Sequence, residues 1–505
     1  MLEQRIWERR QTLEEFAEYA EGYAREHGEP GTLGVRHLQR LVAGHGPKGQ
    51  SLGPVRPATA RLLESIFGMS VDELLARPVV GGGVDVPVVQ ERFGAVLEWF
   101  DEYAGWAPGT AERRVRGSAP GDRSASRRSI GRTQLADALA EYYAESVPGH
   151  GRYRFRCGVT EVTTSIVTRP GWLDLGCALG EGDQLTFVSE VPAVLRPCDD
   201  VSLEAAVKRL AEVAGSAVRM TDVPLYRLVE VDVRQGKITG VVAATTFAEY
   251  ALTMDLLERE LVDVIVAKRS SYPLRDKYLP DLASVLDISP RLCAGGVLAL
   301  CAIARPADRY RGPADYALLV QERSGTVLNS AGRLAVIPKG FHEPMNDLRA
   351  DAQIGMTLLR EMEEELFGRG EVDSTVRTRR IAAPMHPGRA SEPMRWLLDE
   401  RDRMRMECTG FGLNLVSGNY EFASLVVIED DEFWARYGGH IEANWESAGL
   451  RVYSSLDREL LTELVSDESW SNEGLFAFCE GLRRLAQLGG DRVNAPTMEA
   501  TASGR

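Results

Sequence analysis

Three glutamates lie close together in the segment REMEEEL, which runs from Arg360 to Leu366. Glu361, Glu364 and Glu365 occupy positions i, i+3 and i+4, so a helix would bring their carboxylates to one face. Their mutual repulsion costs roughly 0.2–0.5 kcal/mol per pair unless a cation compensates it. Mg²⁺ prefers such oxygen ligands and often binds together with a phosphate group of a substrate. The pattern therefore predicts a magnesium site at these three residues, and the alternative is an acidic helix face that water solvates.

A second group of residues with suitable chemistry lies near the start of the chain, in a predicted helix over 32–42. The apolar positions of this helix share the spacing of one buried face, namely Val35, Leu38, Leu41 and Val42. Arg36, Gln39 and Arg40 fall on another face at i, i+3 and i+4. Arginine and glutamine have the donor and acceptor geometry that suits guanine and adenine edges in the major groove. The helix alone leaves two interpretations open, namely contact with double-stranded DNA or a protein–protein helical bundle whose arginine face is only solvated.

The charges in this part of the chain are segregated. Residues 1–80 hold ten basic and eleven acidic residues, yet residues 31–61 contain no Asp or Glu. The basic residues of the acid-free segment are Arg36, Arg40, Lys48, Arg56 and Arg61. A surface that faces phosphates needs such segregation, so Lys48 and Arg56 join the DNA-contacting candidates.

The overall composition excludes several classes of protein. The 505 residues carry 59 Lys and Arg against 74 Asp and Glu, a net charge of −15, which disfavours wholesale coating of nucleic acid. The seven cysteines are widely spaced without a C-x-x-C motif, which disfavours a disulfide framework or a zinc ribbon. The N-terminus shows no apolar signal segment, and no apolar run is long enough for a bilayer. We therefore expect a cytoplasmic protein that makes no membrane contact.

Helix signals and changes in composition predict a multidomain chain of the α and α+β classes. Thr12 would cap a helix over Leu13–Arg25, Pro57 would open one that ends at Phe67, and apolar spacing predicts another over Val88–Tyr103. The predicted divisions are an all-α helix bundle over 1–80, a connecting helix over 81–107, a flexible basic linker over 108–133, an α+β region of unknown role over 134–292, an α/β domain over 293–488 and a disordered tail over 489–505.

The first of these divisions resembles the helix-turn-helix domain of the Cro/repressor-type (XRE) regulators of actinobacteria. The segments that carry the resemblance are ERRQTLEEFAEYA, GVRHLQRL and RPATARLLESIFGMSVDELL. The resemblance implies a small helical bundle whose third helix reads DNA, with Arg36, His37, Gln39 and Arg40 as its base- or backbone-contacting residues. Because a single small domain usually binds DNA weakly, we also expect a homodimer on a two-fold DNA site.

The region around REMEEEL resembles a Nudix fold, whose signature is G-x5-E-x7-R-E-U-x-E-E-x-G-U, where U is a bulky aliphatic residue. The matching positions are Arg360, Glu361, Met362, Glu364 and Glu365. The departures are Asn346 and Phe367, where the signature has glycine, and Ala352, where it has glutamate. The resemblance implies an α/β Nudix-like domain and a possible Mg²⁺ cofactor, while the departures favour ligand binding over hydrolysis.

Three hypotheses follow from these residues. The first is a DNA-binding transcription regulator whose Nudix-like domain senses a nucleotide-like or phosphorylated small molecule. The second is a Mg²⁺-dependent Nudix hydrolase of nucleoside diphosphate derivatives, and the third is a non-catalytic interaction protein. The departures at Ala352 and Phe367 favour the first hypothesis over the second, and the acid-free segment 31–61 favours it over the third.

Overall fold

The computed structural model divides the chain into two compact units, residues 1–82 and residues 83–505. The residues that it describes are 6, 13–27, 33–34, 37–38, 41, 55, 57–67, 71, 74, 86–118, 130–191, 194, 198–215, 220, 222–324, 331–345, 347–368, 385, 389–438, 441 and 447–503. Within this part of the chain, no helix combines the length and apolar composition that crossing a membrane requires.

The two elements of the N-terminal unit whose bounds the structure gives are helices. Helix α1 spans Leu13–His27 and helix α2 spans Pro57–Phe67, which confirms both predicted helices. The rings of Phe16 and Phe67 stack with centroids 5.3 Å apart, so the two helices pack through their apolar faces. The other buried apolar residues of this unit include Ile6, Ala17, Ala20, Ala24, Leu33, Leu38, Leu41, Leu62, Leu63 and Leu74.

The C-terminal unit is built on an eleven-stranded mixed sheet. Its strands are β1 Gly151–Cys157, β2 Thr160–Thr168, β3 Leu173–Ala178, β7 Gly295–Arg305, β8 Asp315–Arg323, β9 Leu334–Val336, β10 Lys339–Phe341, β11 Met404–Asn414, β12 Tyr420–Ile428, β13 Ser447–Ser454 and β14 Met498–Ser503. The main order is β13-β8-β7-β12-β11-β2-β1-β14, while β9, β10 and β3 pair with β8, β7 and β11. Strands β7 and β12 are parallel and lie near the middle of this order.

A second sheet and further helices belong to the described part of this unit. Strands β4 Asp183–Phe187, β5 Pro224–Arg234 and β6 Lys237–Thr246 form the second sheet in the order β4-β6-β5. The helices are α3 Val86–Tyr103, α4 Thr110–Gly117, α5 Arg132–Tyr142, α6 Asp200–Ala214, α7 Phe247–Ala251, α8 Leu256–Ala267, α9 Arg275–Tyr278, α10 Leu282–Leu286, α11 Ile354–Glu365, α12 Glu392–Asp399, α13 Asp431–Tyr437, α14 Arg458–Ser466 and α15 Asn472–Leu488.

Strand β7 explains why the sequence GGVLALCAIA is apolar throughout. Its alternate residues belong to two separate buried clusters, with Val297 in one and Leu298 in the other. Helix α11 contributes Leu358 to the first cluster, and helix α15 contributes Phe476 to the second. The sheet is therefore covered by a helix on each face, and a strand that is buried on both faces needs apolar residues at consecutive positions.

Two predicted divisions are wrong. The regions 134–292 and 293–488 are not separate domains, because β1, β2 and β3 belong to the same sheet as β7 and β11. The pair Val167↔Leu413 joins the two regions directly. The tail over 489–505 is ordered through residue 503, since β14 pairs antiparallel with β1 along its whole length. Backbone hydrogen bonds stabilise this edge strand, so its lack of large apolar residues gave a misleading indication of disorder.

The predicted basic linker over 108–133 is also partly helical. The Asp101 carboxylate accepts hydrogen bonds from the N–H groups of Gly109 and Ala111, at 2.6 and 2.7 Å, and so holds the start of α4. Val115 of α4 is buried, although most of its neighbours in sequence are polar. Residues 119–129 of the predicted linker lie outside the described residues.

Candidate functional site

The predicted DNA-contacting residues lie mostly outside the part of the chain that the structure describes. This holds for Arg36, Gln39, Arg40, Lys48 and Arg56. His37 is described: it is helical and half-buried, and its backbone N–H donates to the carbonyl of Gly34 at 2.9 Å. Leu38 and Leu41 are buried, as the spacing of the predicted helix requires for its core-facing side.

Helix α11, which carries the REMEEEL segment, is positioned by residues from a distant part of the chain. The side-chain amide of Gln353 pairs with strand β4, since it accepts from Leu185 N–H at 3.0 Å and donates to Leu185 C=O at 2.9 Å. The Asp183 carboxylate accepts from the N–H of Gly355 at 3.1 Å in the first turn of α11. An acidic group at this end compensates unsatisfied N–H groups and the helix dipole. Asp183 therefore fixes the helix that presents the glutamates.

Sequence reasoning missed this role of Asp183. The segment GCALGEGD predicts only a turn, and the structure has a turn over residues 179–181. The signal that could have found the role is an aspartate directly after a glycine-rich turn, but nothing in the sequence indicates which helix it caps.

Arg360 lies among three carboxylates, and we call Arg360, Glu343, Glu361 and Glu364 the Arg360 cluster. Its guanidinium nitrogens lie 2.6 Å from Glu343 Oε1, 2.6 Å from Glu361 Oε1 and 3.5 Å from Glu364 Oε2. The side chain of Arg360 is only 6% exposed, so these attractions act in a region of low dielectric constant. A guanidinium therefore supplies the positive charge that the acidic helix face needs.

Glu365 is directed to different partners. Its carboxylate is fully buried and accepts from the backbone N–H of Lys339 at 2.7 Å and from the amide of Gln321 at 3.2 Å. Each of its two oxygens thus has a donor on strand β10 or β8. Glu365 connects the end of α11 to the sheet.

These contacts do not fit a resident Mg²⁺ ion. Magnesium requires several oxygen ligands converging in near-octahedral geometry. Among the residues that the structure describes, no group of three or more His, Cys, Asp and Glu side chains is arranged to hold a metal ion. Glu361, Glu364 and Glu365 share a helix face as predicted, and Arg360 and backbone donors already compensate their charges.

Gly340 lies where β10 packs closely against α11. A Cβ atom at this position would overlap the carboxylate of Glu361. Arg360 also donates to the carbonyl of Phe341 at 3.2 Å, so the Arg360 cluster is held directly against strand β10. This close approach leaves the Glu361 carboxylate in contact with backbone on one side.

A second buried polar group lies where strand β12 meets the N-terminus of α15. Lys339 Nζ is 2.7 Å from Glu473 Oε1, and both side chains are almost buried. Glu421 is fully buried, and burial raises its pKa well above the usual value, with the Glu473 carboxylate acting in the same direction. Sequence reasoning had not singled out any of these three residues.

His342 is a fully buried histidine next to the Arg360 cluster. Its Nδ1 lies 2.9 Å from the Tyr420 hydroxyl and its Nε2 lies 2.9 Å from the carbonyl oxygen of Ala352. Nε2–H donating to Ala352 and Nδ1 accepting from Tyr420 describes a neutral imidazole. Burial, together with the positive charge of Arg360, lowers the pKa of His342 to about 3.

The neutral state of His342 predicts acid sensitivity of this unit. The pKa in the folded state, about 3, is below the unfolded value of 6.5, so the unfolded state binds more protons between these values. His342 therefore costs stability as the pH falls, and we expect a loss of about 2 kcal/mol between pH 7 and pH 5. Urea unfolding at several pH values measures this loss.

The variant His342→Gln provides the comparison for the pH series. Glutamine carries no titratable group, so its unfolding free energy should be lower at pH 7 but depend less on pH between 7 and 5. Equal pH dependence in wild type and variant would contradict a buried neutral imidazole.

Comparisons with known proteins provide no relative from which a role could be transferred. No protein-family model matches the chain, and a search of curated proteins finds no match either.

Proposed function

We propose that the chain is a DNA-binding transcription regulator whose C-terminal unit binds a small ligand without hydrolysing it. The observation that carries this proposal is the acid-free segment 31–61 within a helical unit that is compact by itself. A separate small unit with segregated positive charge has the organisation that docking on a duplex requires.

The packing of the N-terminal unit supports this proposal. Leu33, Leu38 and Leu41 are buried in the same core as α1 and α2. Leu38 and Leu41 occupy core-facing positions of the predicted third helix, and the same spacing predicts that the polar positions of this helix face away from the core. Arg36, Gln39 and Arg40 occupy those polar positions in the sequence.

The Arg360 cluster supports binding over hydrolysis. Nudix-type hydrolysis needs carboxylates that gather a metal ion, whereas Glu361 and Glu364 are compensated by a buried guanidinium. The retained REMEEEL helix is then a structural element that joins the two sheets through Gln353 and Asp183. We infer that the C-terminal unit responds to a ligand and that its REMEEEL helix does not support metal chemistry.

Regulation would follow from linkage. A ligand that binds one arrangement of the chain better than another shifts the population and thereby the affinity for DNA. Because one small domain usually binds DNA weakly, we propose that two copies act on a two-fold site.

A gel-shift titration at several salt concentrations tests DNA binding. The logarithm of the association constant should fall linearly with the logarithm of salt concentration, by about 0.9 per phosphate contacted. We expect a slope of about −4 to −6, as for a handful of contacts. Absence of binding to genomic DNA fragments at about 50 mM salt would end the regulator proposal.

The hydrolase alternative has its own measurement. Phosphate release from nucleoside diphosphate derivatives in the presence of Mg²⁺, abolished by Glu364→Gln, would favour the enzyme over the regulator. We expect no release above the level of that variant.

A further inference from the structure

Strand β14 forms one edge of the eleven-stranded sheet. In the part of the chain that the structure describes, it stands last in the strand order, and its one partner strand is β1. The two strands pair without a register shift from Cys157↔Met498 to Arg152↔Ser503. Helices α5 and α14 pack on β2, which is two strands further into the sheet. Among the described residues, the outer edge of β14 is therefore uncovered.

The hydrogen bonds to β1 determine which backbone groups of β14 face outward. Gly158 N–H donates to Thr497 C=O at 2.9 Å, in the same register as the rest of the ladder. Hydrogen-bonded and non-hydrogen-bonded pairs alternate in an antiparallel ladder, so every second residue after Thr497 bonds to β1. The N–H and C=O groups of the residues between them point to the outer edge, and these residues are Met498, Ala500 and Ala502.

This edge lacks the features that usually prevent strand pairing. Natural edge strands are protected by lysine, proline or a bulge. The sequence of β14, MEATAS, contains neither lysine nor proline, and its one charged side chain, Glu499, pairs with Arg156 of β1. The opposite edge, β13, has a bulge between Ser447 and Gly449 and carries the half-exposed Arg451. Of the two edges, β14 is therefore the one suited to accept another strand.

The side chains of β14 also leave apolar surface to be covered. Met498 and Ala500 pack against the buried cluster that contains Phe476 of α15, yet both are only half-buried. Ala502 lies on the same face of the strand and is half-buried as well. One more strand at this edge would remove part of this surface from water.

We propose that β14 pairs antiparallel with β14 of a second copy of this chain, across a two-fold axis at Ala500. Ala500 then lies opposite the partner's Ala500, and Met498 lies opposite the partner's Ala502. Every outward N–H and C=O group of the strand obtains a hydrogen-bonding partner in this register. Glu499 faces the partner's Thr501, so no like charges are opposed.

Other registers are less favourable. An axis between two residues would place the core face of one strand opposite the solvent face of the other. An axis at Glu499 would oppose two carboxylates, and an axis at Thr501 would leave Met498 without a partner inside the strand. The strand is thus complementary to itself, and a two-fold contact of this kind closes with two copies.

The sheet leaves space for the second copy. Strand β2 and its copy would be five strand spacings apart, about 24 Å. A helix with its side chains is about 10–12 Å wide, so α5 and its copy on β2 would not collide. The inference rests on the proposed function in the expectation that two copies act together, and it names the surface through which they meet.

Sedimentation velocity of the full chain without DNA tests this inference. Because an edge-to-edge contact is small, we expect a monomer–dimer equilibrium with a micromolar Kd, which a series from about 1 to 100 μM covers. Ala500→Pro removes an outward N–H on each side of the axis while it keeps the bonds of β14 to β1. It should weaken dimerisation by at least about 10-fold. The matched control is Ala500→Ser, which keeps the N–H and should dimerise like the wild type.

A second variant tests the register without changing the backbone. Thr501→Glu places a carboxylate opposite the partner's Glu499, whereas in its own chain residue 501 lies opposite Arg154, so folding is preserved. It should weaken dimerisation by about 2- to 10-fold at low salt and less at high salt. Thr501→Gln has the same size without the charge and is the matched control.

Three results would overturn the inference. The first is a monomer throughout the concentration series, and the second is a dimer that neither Ala500→Pro nor Thr501→Glu weakens. The third is growth into open chains, which would indicate pairing of β14 with a different edge. DNA binding by a chain that stays monomeric would contradict this inference alone, whereas a β14 dimer that binds no DNA would contradict the proposed regulator alone.

Discussion

Replacing Arg36 and Arg40 together by alanine is expected to lower the affinity for specific DNA by at least about 100-fold. The reason is that each side chain that contacts a base edge contributes about 1–3 kcal/mol, and each phosphate contact adds a charge-dependent share. The salt dependence should weaken as well, with a slope less steep by about 1 for each phosphate that the variant no longer neutralises. Gel-shift titrations of wild type and variant on the same fragment, at matched salt concentrations, measure both quantities.

The control for this prediction is Arg25→Ala. Arg25 lies on α1 of the same unit, its side chain is 76% exposed, and its guanidinium is 3.8 Å from Glu21. Removing it lowers the charge of the unit without changing the acid-free segment, so we expect less than about a twofold change in affinity. Equal decreases in affinity for both variants would show that overall charge, rather than the predicted recognition helix, determines binding.

Replacing Arg360 by methionine is expected to destabilise the C-terminal unit by about 3–5 kcal/mol, the usual cost of removing one partner from a buried ion pair. Methionine retains much of the volume of the side chain but removes the charge that Glu343, Glu361 and Glu364 share. Urea unfolding followed by tryptophan fluorescence measures the loss. Seven of the eight tryptophans lie in residues 83–505, so the signal reports mainly on this unit.

Arg401→Met is the matched control for Arg360→Met. Arg401 is exposed in the short 3-10 turn Arg401–Arg403, and its replacement should change the unfolding free energy by less than about 0.5 kcal/mol. A loss of stability below about 1 kcal/mol in Arg360→Met would contradict the compensating role of the guanidinium.

The effect of Mg²⁺ on the melting temperature provides a second test of the compensating role of Arg360. A cation that binds the folded state raises its stability in proportion to the logarithm of cation concentration over Kd. Since Arg360 already compensates the acidic face, the melting temperature of the wild type should not change with millimolar Mg²⁺. A clear increase in the wild type would support the predicted metal site and with it the hydrolase alternative.

Local signals were sufficient for the two helices of the N-terminal unit whose bounds the structure gives. Thr12 as a cap and the apolar spacing that follows it predicted α1, and Pro57 marked the first residue of α2. These features involve residues within one or two turns of each other. Their physical effects, capping and amphipathic burial, are therefore readable from the sequence alone.

At the candidate site, local sequence signals predict only part of the structure. The i, i+3, i+4 spacing correctly placed Glu361, Glu364 and Glu365 on one buried helix, and α11 includes all three. The spacing carried no information on what would compensate them. Arg360 is adjacent to Glu361 in the sequence, so the sequence alone indicates it as a partner. Glu343, Gln321 and the backbone of Lys339 contact the glutamates or Arg360 only because the fold brings them there.

The amino-acid sequence determined the amphipathic helices, the segregated charge of residues 31–61 and the clustering of glutamates on one helix. Tertiary structure decided that residues 134–292 and 293–488 share one sheet, that the tail adds a strand, and that Asp183 holds α11 from 172 residues away. The physical reason is the distance along the chain over which each effect acts. Helix propensity and periodicity act over a few residues, whereas strand pairing and charge compensation depend on which distant groups packing brings together.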